Sequence, residues 1–312
     1  MRFSLKFLMV VAALASLPWI LRSPFMTHVG VMIGLYIVMA LSMNLMLRIG
    51  QISLMHGAFM GLGAYGSALM MMRLEWPFFA AFATASLGVM LLAWLIGLLF
   101  LRIKGVYFVL LTFAFGEIII LVFVEWTSLF GGNGGLAGVP KPSLLGYTIR
   151  SREDFYLLAL ALAALSYAAV RALYRSELGV VTASLEENEM LTRSLGVDSG
   201  RYRLWIFCFS ALLAAMGGAL YGHYLTLVTP EDYRFWLAVN LVVMNVIGGA
   251  AHPLGPVLGV LLLVPLPEFL RDAKQYQQLL YGLLLIGFLL FMPHGLYGIA
   301  RRFWTGGKEP PP

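Results

Sequence analysis

Long apolar runs recur along the whole chain, and they constrain its fold more than any other feature. Hydrophobic residues make up 61% of the 312 residues and charged residues only 12%, whereas a soluble domain carries about 25% charged residues. A helix needs about 20 apolar residues to cross the roughly 30 Å hydrocarbon layer of a bilayer. The sequence therefore predicts an all-α fold, a polytopic transmembrane helix bundle that forms a single domain over residues 1–312.

Ten apolar segments are candidates for membrane spans. They cover residues 5–21, 28–47, 51–72, 78–101, 105–126, 155–174, 204–222, 235–250, 256–270 and 279–293. The first has Arg2 and Lys6 at its N-terminal end and contains Ala13-Leu14-Ala15, so a retained helix and a cleaved secretory signal both fit it. The Pro-rich tail, residues 306–312, is predicted to be disordered.

Basic residues favour an orientation with both termini in the cytoplasm. In that orientation most of the 21 Lys and Arg residues fall in cytoplasmic segments, in agreement with the positive-inside rule. The net charge of +6 then reflects residues at span ends near lipid headgroups, and nucleic-acid binding is not expected. The longest polar interruption, residues 178–203, lies in the cytoplasm in this orientation.

The interruption at 178–203 is predicted to form a short amphipathic helix that ends at Gly196. Its apolar side is assigned to Val181, Leu185, Leu191 and Leu195, with Asn188 on the same side, and its polar positions to Glu186, Glu187, Glu189 and Arg193. Such a helix docks on another protein or simply faces solvent. Both interpretations stay open on periodicity alone.

Two of the spans are interrupted by polar residues and glycines. Residues 51–72 contain Gln51, Ser53 and His56 as well as several glycines. Residues 235–250 contain Asn240, Asn245, Gly248 and Gly249. Short or Gly-interrupted segments, one in each half of a transporter, indicate a translocation path, but small residues also allow close helix packing. The pattern is consistent with either.

Glu117 stands in the middle of an apolar span, where an ionisable side chain is a functional candidate by default. No His spacing predicts a metal site, Cys208 is the only cysteine, and the Gly-rich run 131–135 lacks the Lys-Ser/Thr ending of a P-loop. No cofactor and no enzymatic activity are expected, so a carrier outranks a membrane enzyme. A proton-coupled secondary transporter of a small polar solute is the alternative to a subunit of a larger transport complex.

Several motifs together resemble the permease subunits of branched-chain amino acid ABC importers, in particular the M-type subunit. The motifs are GQISLMHGAF at 50–59, TFAFGEI at 112–118, GGNGGLAGVP at 131–140, ENE at 187–189 with SLGV at 194–197, Gly248-Gly249 with Gly255-Pro256, and FMPHGL at 291–296. Their order and spacing match the family over nearly the whole chain.

The resemblance implies one transmembrane subunit of an ATP-driven importer in a bacterial inner membrane, moving branched-chain or related small amino acids or amides by alternating access. It also implies three kinds of partner: a second permease, cytoplasmic ATPase subunits and an extracytoplasmic solute-binding protein. The residues expected to couple to the ATPase are Glu187, Asn188, Glu189 and Gly196. The residues expected along the substrate path are Gln51, Ser53, His56, Glu117, Asn245 and Gly248.

The chain also departs from the family pattern. Arginines are usual in the coupling loop where this sequence has Val180, Thr182, Ala183 and Glu186, so its ATPase interface should be less basic. Met55, Leu191, Thr192, Asn245 and His294 also replace the family's usual residues. Met55 and Asn245 leave the identity of the solute open.

Overall fold

The computed structural model describes residues 5–21, 23–144, 147–187, 189–194, 196–291 and 295–304, and helices dominate it. In chain order the helices are α1 (Leu5–Leu21), α2 (Pro24–Arg48), α3 (His56–Leu74), α4 (Phe78–Phe100), α5 (Val106–Glu125), α6 (Thr127–Phe130), α7 (Arg152–Arg175), α8 (Glu177–Glu187), α9 (Glu189–Ser194), α10 (Ser199–Leu225), α11 (Phe235–Gly248), α12 (Leu254–Leu263), α13 (Pro265–Phe269), α14 (Gln277–Phe291) and α15 (Gly295–Trp304). The predicted all-α membrane bundle is confirmed.

Not every predicted span is a complete crossing. Within the described ranges, α2, α4, α5, α7 and α10 are long and apolar enough to cross a membrane. Helix α11 has 14 residues and therefore spans only about 21 Å, at 1.5 Å per residue. The segment 256–270, predicted as one span, divides into α12 and α13, because Pro265 lacks the N–H that a continuous helix would use.

Helix α10 lies at the centre of the bundle, where α2, α3 and α4 pack against it. Glycines make this packing close. A Cβ on Gly63 would overlap the Ala215 backbone, and a Cβ on Gly218 would overlap the backbone of Met60. The helix axes approach at these points because only hydrogen atoms separate the two backbones. This close packing fixes the position of α3, whose N-terminal end borders the candidate site.

The two ends of the bundle differ. At one end, here called the α8–α9 end, α8 packs against α7, α10 and α2. At the opposite end, short antiparallel pairs join β1 (Leu136–Ala137) to β4 (Leu227–Val228) and β2 (Ser143–Leu144) to β3 (Tyr147–Thr148). The buried His223 ring fastens this end to α3 and the nearby loop, with Nδ1 2.7 Å from the Pro140 carbonyl oxygen and Nε2 3.1 Å from Ser67 Oγ.

Candidate functional site

The first interrupted span is a non-helical segment that lies beside the middle of α5. Helix α3 begins only at His56, so residues 51–55 precede it without helical structure. The Leu54 amide donates a 3.2 Å hydrogen bond to Thr112 Oγ1, and a Cβ on Gly116 would stand 3.3 Å from the Met55 Cα. Such backbone is tolerated at membrane depth where protein or a cavity surrounds it. The interruption predicted for residues 51–72 is confirmed.

Three predicted path residues, Gln51, Ser53 and His56, are buried in and beside this segment. Gln51 Nε2 donates a long 3.5 Å bond to the Ile103 carbonyl oxygen. Within the described part of the chain, Gln51 Oε1, Ser53 Oγ and both His56 ring nitrogens have no hydrogen-bond partner. Unsatisfied buried polar atoms are uncommon and costly. They mark this segment as one whose polar groups are not explained by the packing of the chain alone.

A second non-helical segment, residues 229–234, reaches the same place from the opposite end of the bundle. It follows β4, forms a 3-10 turn at Pro230–Tyr233 and leads directly into α11. A Cβ on Gly57 would overlap the Tyr233 carbonyl oxygen and stand 2.9 Å from the Arg234 carbonyl oxygen. The N-terminal ends of α3 and α11 therefore meet. Each such end carries a partial positive charge.

Glu117 lies just past the middle of the 20-residue α5 and faces this meeting point. Its Oε2 is 3.6 Å from Arg234 Nη1, and the two side chains are 31% and 38% exposed. Arg234 also donates from Nε to Glu231 Oε2 at 2.6 Å. One guanidinium is thus shared by two carboxylates, and the closer of the two pairs is the one with Glu231.

Arg234 was not among the predicted path residues, because it lies in the loop between the predicted spans 204–222 and 235–250. The signal that could have found it is Glu117 itself, since an intramembrane carboxylate requires a partner. Sequence could not identify which of several loop arginines returns to that depth. In the structure, residues 229–234 lead from β4 into the bundle and bring Arg234 to Glu117.

The predicted path residue Asn245 lies elsewhere, in a buried network between α2 and α11. Its Nδ2 donates to the Ala40 carbonyl oxygen at 3.0 Å and the Leu241 carbonyl oxygen at 2.8 Å, and its Oδ1 accepts from Asn44 Nδ2 at 2.9 Å. Tyr174 donates a 2.6 Å bond to Asn44 Oδ1. Every hydrogen-bonding atom of the Asn245 amide has a partner, which is an arrangement suited to holding helices together.

Gly248, the last predicted path residue, is a packing position in the geometry observed. A Cβ there would overlap the Gly255 carbonyl oxygen, so α11 and α12 approach through glycines. Of the six predicted path residues, Gln51, Ser53, His56 and Glu117 border the meeting point of α3 and α11, and the other two lie toward the far end of α11. A solute-contacting role for any of them stays a prediction.

The predicted amphipathic helix is present as α8 and α9. Asn188 lies outside the described residues, and the side chains of Glu187 and Glu189 are likewise outside that description. Of the residues assigned to its apolar side, Leu185 is buried and Leu191 is 60% exposed, whereas Thr192 is buried.

Gly196 has φ +85°, a conformation that glycine adopts without steric cost and that commonly follows a helix end. No atom of the described chain lies within 4 Å of the position a Cβ would take. Beside it is a groove of about 460 Å³ lined by Leu178, Gly196, Val197, Asp198, Arg201, Tyr202 and Trp205. The predicted helix stop is confirmed, and the backbone there is open to approach from outside.

The site offers no constellation for bound metal. Across the ranges given above, no group of three or more His, Cys, Asp or Glu side chains is placed to hold an ion. The chemistry available at the meeting point of α3 and α11 is instead that of charge pairing and hydrogen bonding. Its one strong donor is Arg234 and its acceptors are the two glutamates.

Comparison with known proteins identifies the family of the chain. The profile of the family described as branched-chain amino acid transport system / permease component matches residues 25–292. The high-affinity branched-chain amino acid transport system permease protein LivM of Escherichia coli strain K12 is 30% identical over 291 residues, covering 86% of this chain and 68% of that protein. LivM of Salmonella typhimurium is 30% identical over 307 residues, covering 89% and 72%. BraD of Pseudomonas aeruginosa, of the same description, is 32% identical over 126 residues, covering 40% and 41%. No solved structure matches the chain.

Proposed function

The chain belongs to the family of branched-chain amino acid transport permease components, and from that membership we propose that it is one transmembrane subunit of an ATP-driven importer. It works in a bacterial inner membrane with a second permease, cytoplasmic ATPase subunits and an extracytoplasmic solute-binding protein. The solute is a branched-chain or related small amino acid or amide. Both chain termini and the α8–α9 end face the cytoplasm.

The observation that carries the proposal is the surface at the α8–α9 end. Val180, Met190, Leu191 and Trp205 are all exposed there, Met190 by 83%. Trp205, in the second turn of α10, also lines the groove beside Gly196. Exposed apolar side chains at one end of a bundle, together with a groove, are typical of a protein contact. The ATPase subunit docks on this surface, and Glu187, Asn188, Glu189 and Gly196 are the coupling residues we assign to it.

Packing suggests how docking would move the bundle. Helix α8 contacts α2 as well as α7 and α10. Helix α2 carries Asn44, which is hydrogen-bonded to Asn245 on α11. Helix α11 begins at the Arg234 that pairs with Glu117. ATP-driven closure of the ATPases displaces α8, and the rigid α2–α11 pair carries that displacement to the path, switching between two packings of the bundle.

The second permease covers the face that α5 and the start of α11 present. A charged pair that is about one third exposed at the middle of a membrane helix cannot face hydrocarbon without a large cost. Val106, Tyr107, Ile118, Leu121 and Trp236 are exposed on the same two helices. An apolar surface that contains one open polar site suits a subunit interface with the translocation path running along it.

The experiment is ATP-driven uptake of radiolabelled leucine by the complete complex in proteoliposomes, with ATP hydrolysis measured in the same vesicles. Gly196→Trp is expected to reduce uptake at least about tenfold while hydrolysis continues, because a bulky side chain blocks the docked backbone. Gly196→Ala is the matched control, since it has the same unfavourable φ without the bulk. Normal coupling in Gly196→Trp would contradict the docking assignment.

The alternative, a proton-coupled carrier, makes an opposite prediction in the same vesicles. The purified chain alone would take up solute down a pH gradient without ATP, and Glu117→Gln would abolish that uptake. We expect no uptake by the isolated chain. Uptake driven by the pH gradient alone would replace the proposed function with the carrier mechanism.

A further inference from the structure

We propose that Arg234 and Glu117 together recognise a zwitterionic α-amino acid as it passes between α5 and α11. In this assignment Arg234 binds the solute carboxylate and Glu117 binds the solute ammonium group. The inference rests on the proposed function and adds to it a specificity-determining pair, one member of which sequence did not indicate. It is carried by the distances, the exposure and the charge balance at the meeting point of α3 and α11.

The looseness of the pair is the first argument. Glu117 Oε2 and Arg234 Nη1 are 3.6 Å apart, beyond the 2.7–2.9 Å of a charge-assisted hydrogen bond. A structural ion pair at membrane depth would be expected to close to that distance. The guanidinium instead makes its short bond through Nε to Glu231, so its Nη1 edge is oriented toward Glu117 without being tightly bound by it.

The second argument is accessibility. Both side chains are partly exposed, although Glu117 stands in an apolar helix whose neighbours Ile118 and Leu121 face outward. Next to Gly57, which approaches the Arg234 backbone, His56 is fully buried at the start of α3, and neither of its ring nitrogens has a partner in the described chain. A small polar solute at this point would meet charged groups in front and hydrogen-bonding groups nearby.

The third argument is the balance of charge. Glu117, Glu231 and Arg234 carry one positive and two negative formal charges, and Asp232 is engaged by the Thr229 hydroxyl at 2.5 Å. This set attracts an ammonium group, whereas a lone carboxylate would have to compete with Glu117 for Arg234. The N-terminal ends of α3 and α11 add partial positive charge where the solute carboxylate would lie. Opposite charges are therefore arranged side by side for a zwitterion.

The test uses the whole complex in proteoliposomes with saturating leucine-loaded binding protein. Arg234→Gln and Glu117→Gln are each expected to lower leucine uptake by roughly 10- to 100-fold, the range for losing a hydrogen bond to a charged group. ATP hydrolysis stimulated by the binding protein should persist, because neither residue contacts the α8–α9 end. Glu125→Gln, which neutralises an exposed carboxylate at the end of the same helix α5, is the matched control and should transport within about twofold of the unmodified complex; Glu231→Gln is measured beside it as the reference for the charge swap.

A charge swap separates recognition from structure. In the Glu231→Gln background, Glu117→Arg with Arg234→Glu restores the ion pair but reverses its polarity. If the pair recognises the two ends of the solute, the swap should stay at least about tenfold impaired. Restored uptake would overturn the proposal and show a purely structural pair, as would normal uptake in either single variant.

Two conservative variants cover the case in which the neutral variants do not assemble. Arg234→Lys and Glu117→Asp keep each charge but lose reach or planar geometry, and each should lower uptake about three- to tenfold. Unchanged uptake in both would overturn the proposal. Uptake by the unmodified complex is measured in the same experiment. If the unmodified complex does not take up leucine, the proposed function fails; if it does and the variants behave like it, only the recognition pair fails.

Discussion

Helix α11 carries two polar sites, and they differ in almost every physical respect. At its start, Arg234 is partly exposed, shared between two carboxylates and 3.6 Å from Glu117. Near its end, Asn245 is fully buried, and all of its amide atoms are hydrogen-bonded to α2 or to α11 itself. A polar residue at membrane depth can thus hold a bundle together or remain available to a solute. The two cases differ in whether the hydrogen-bonding atoms of the residue already have partners within the protein.

The largest expected loss of stability is at the satisfied site, meaning Asn245, whose amide atoms all have hydrogen-bond partners. Asn245→Ala removes three buried hydrogen bonds and leaves Asn44 Nδ2 with one fewer acceptor. Interhelical hydrogen bonds in membranes contribute about 0.6 kcal/mol on average and at most about 1.7, so we expect a loss of about 2–4 kcal/mol in the free energy of unfolding. Titration with sodium dodecyl sulfate in mixed micelles measures it.

Asn240→Ala on the same helix is the control for this change. Asn240 is half-buried, and it lines a pocket between α2, α11 and α14 with no bond to α2 recorded among the described residues. We expect its substitution to cost less than about 1 kcal/mol. Equal losses for the two asparagines would remove the distinction between the two sites of α11.

The next effect tests how the two helix starts are held together. Gly57→Ala would place a Cβ against the Tyr233 and Arg234 carbonyl oxygens, which forces the 229–234 segment away from α3. Overpacking of this kind costs about 1–3 kcal/mol, and displacement of Arg234 should also lower uptake. Gly88→Ala on α4 meets open space and should be neutral or slightly stabilising, because alanine favours helix more than glycine does.

Sequence predicted the bundle, the interruption before α3 and the helix stop at Gly196, and it made Glu117 a candidate, since each depends on local composition or on the cost of a polar group in lipid. It did not separate Glu117 from Asn245, and both were assigned to the path. The difference lies in partners distant in the chain, Arg234 for one and Asn44 for the other. Only the tertiary packing of α2, α5 and α11 brings those pairs together.

The exposed face of α9 shows a second limit of sequence reasoning. Leu191 was assigned by its spacing to the apolar side of the predicted helix, and it is exposed, whereas its neighbour Thr192 is buried. A threonine can be buried in a helix because its hydroxyl can bond to a carbonyl oxygen of the preceding turn. An apolar residue on the outside then becomes informative, because it adds to a surface that a partner can cover.

A smaller effect is expected where one bond of the satisfied site is removed. Tyr174→Phe deletes the 2.6 Å bond to Asn44 Oδ1 but keeps the ring, whose centroid lies 5.0 Å from the Arg48 guanidinium carbon. We expect a loss of about 0.5–1 kcal/mol by the same titration. Tyr202→Phe, at the half-buried tyrosine beside the groove, should change less. A loss matching that of Asn245→Ala would show that Tyr174, and not the asparagine pair, holds the network.

The smallest change in stability is expected at the start of α11, where Glu231 pairs with Arg234. The Glu231 side chain is 76% exposed, and exposed ion pairs contribute about 0.2–1 kcal/mol because water and salt screen them. Glu231→Gln should therefore change the free energy of unfolding by less than about 0.5 kcal/mol, and that change should shrink as salt is raised from 0.05 to about 0.5 M. A salt-independent loss of about 2 kcal/mol or more would mean that this end of α11 is a structural site like its other end. The observed exposure argues otherwise, because a charge that water reaches is not needed to hold the helices in place.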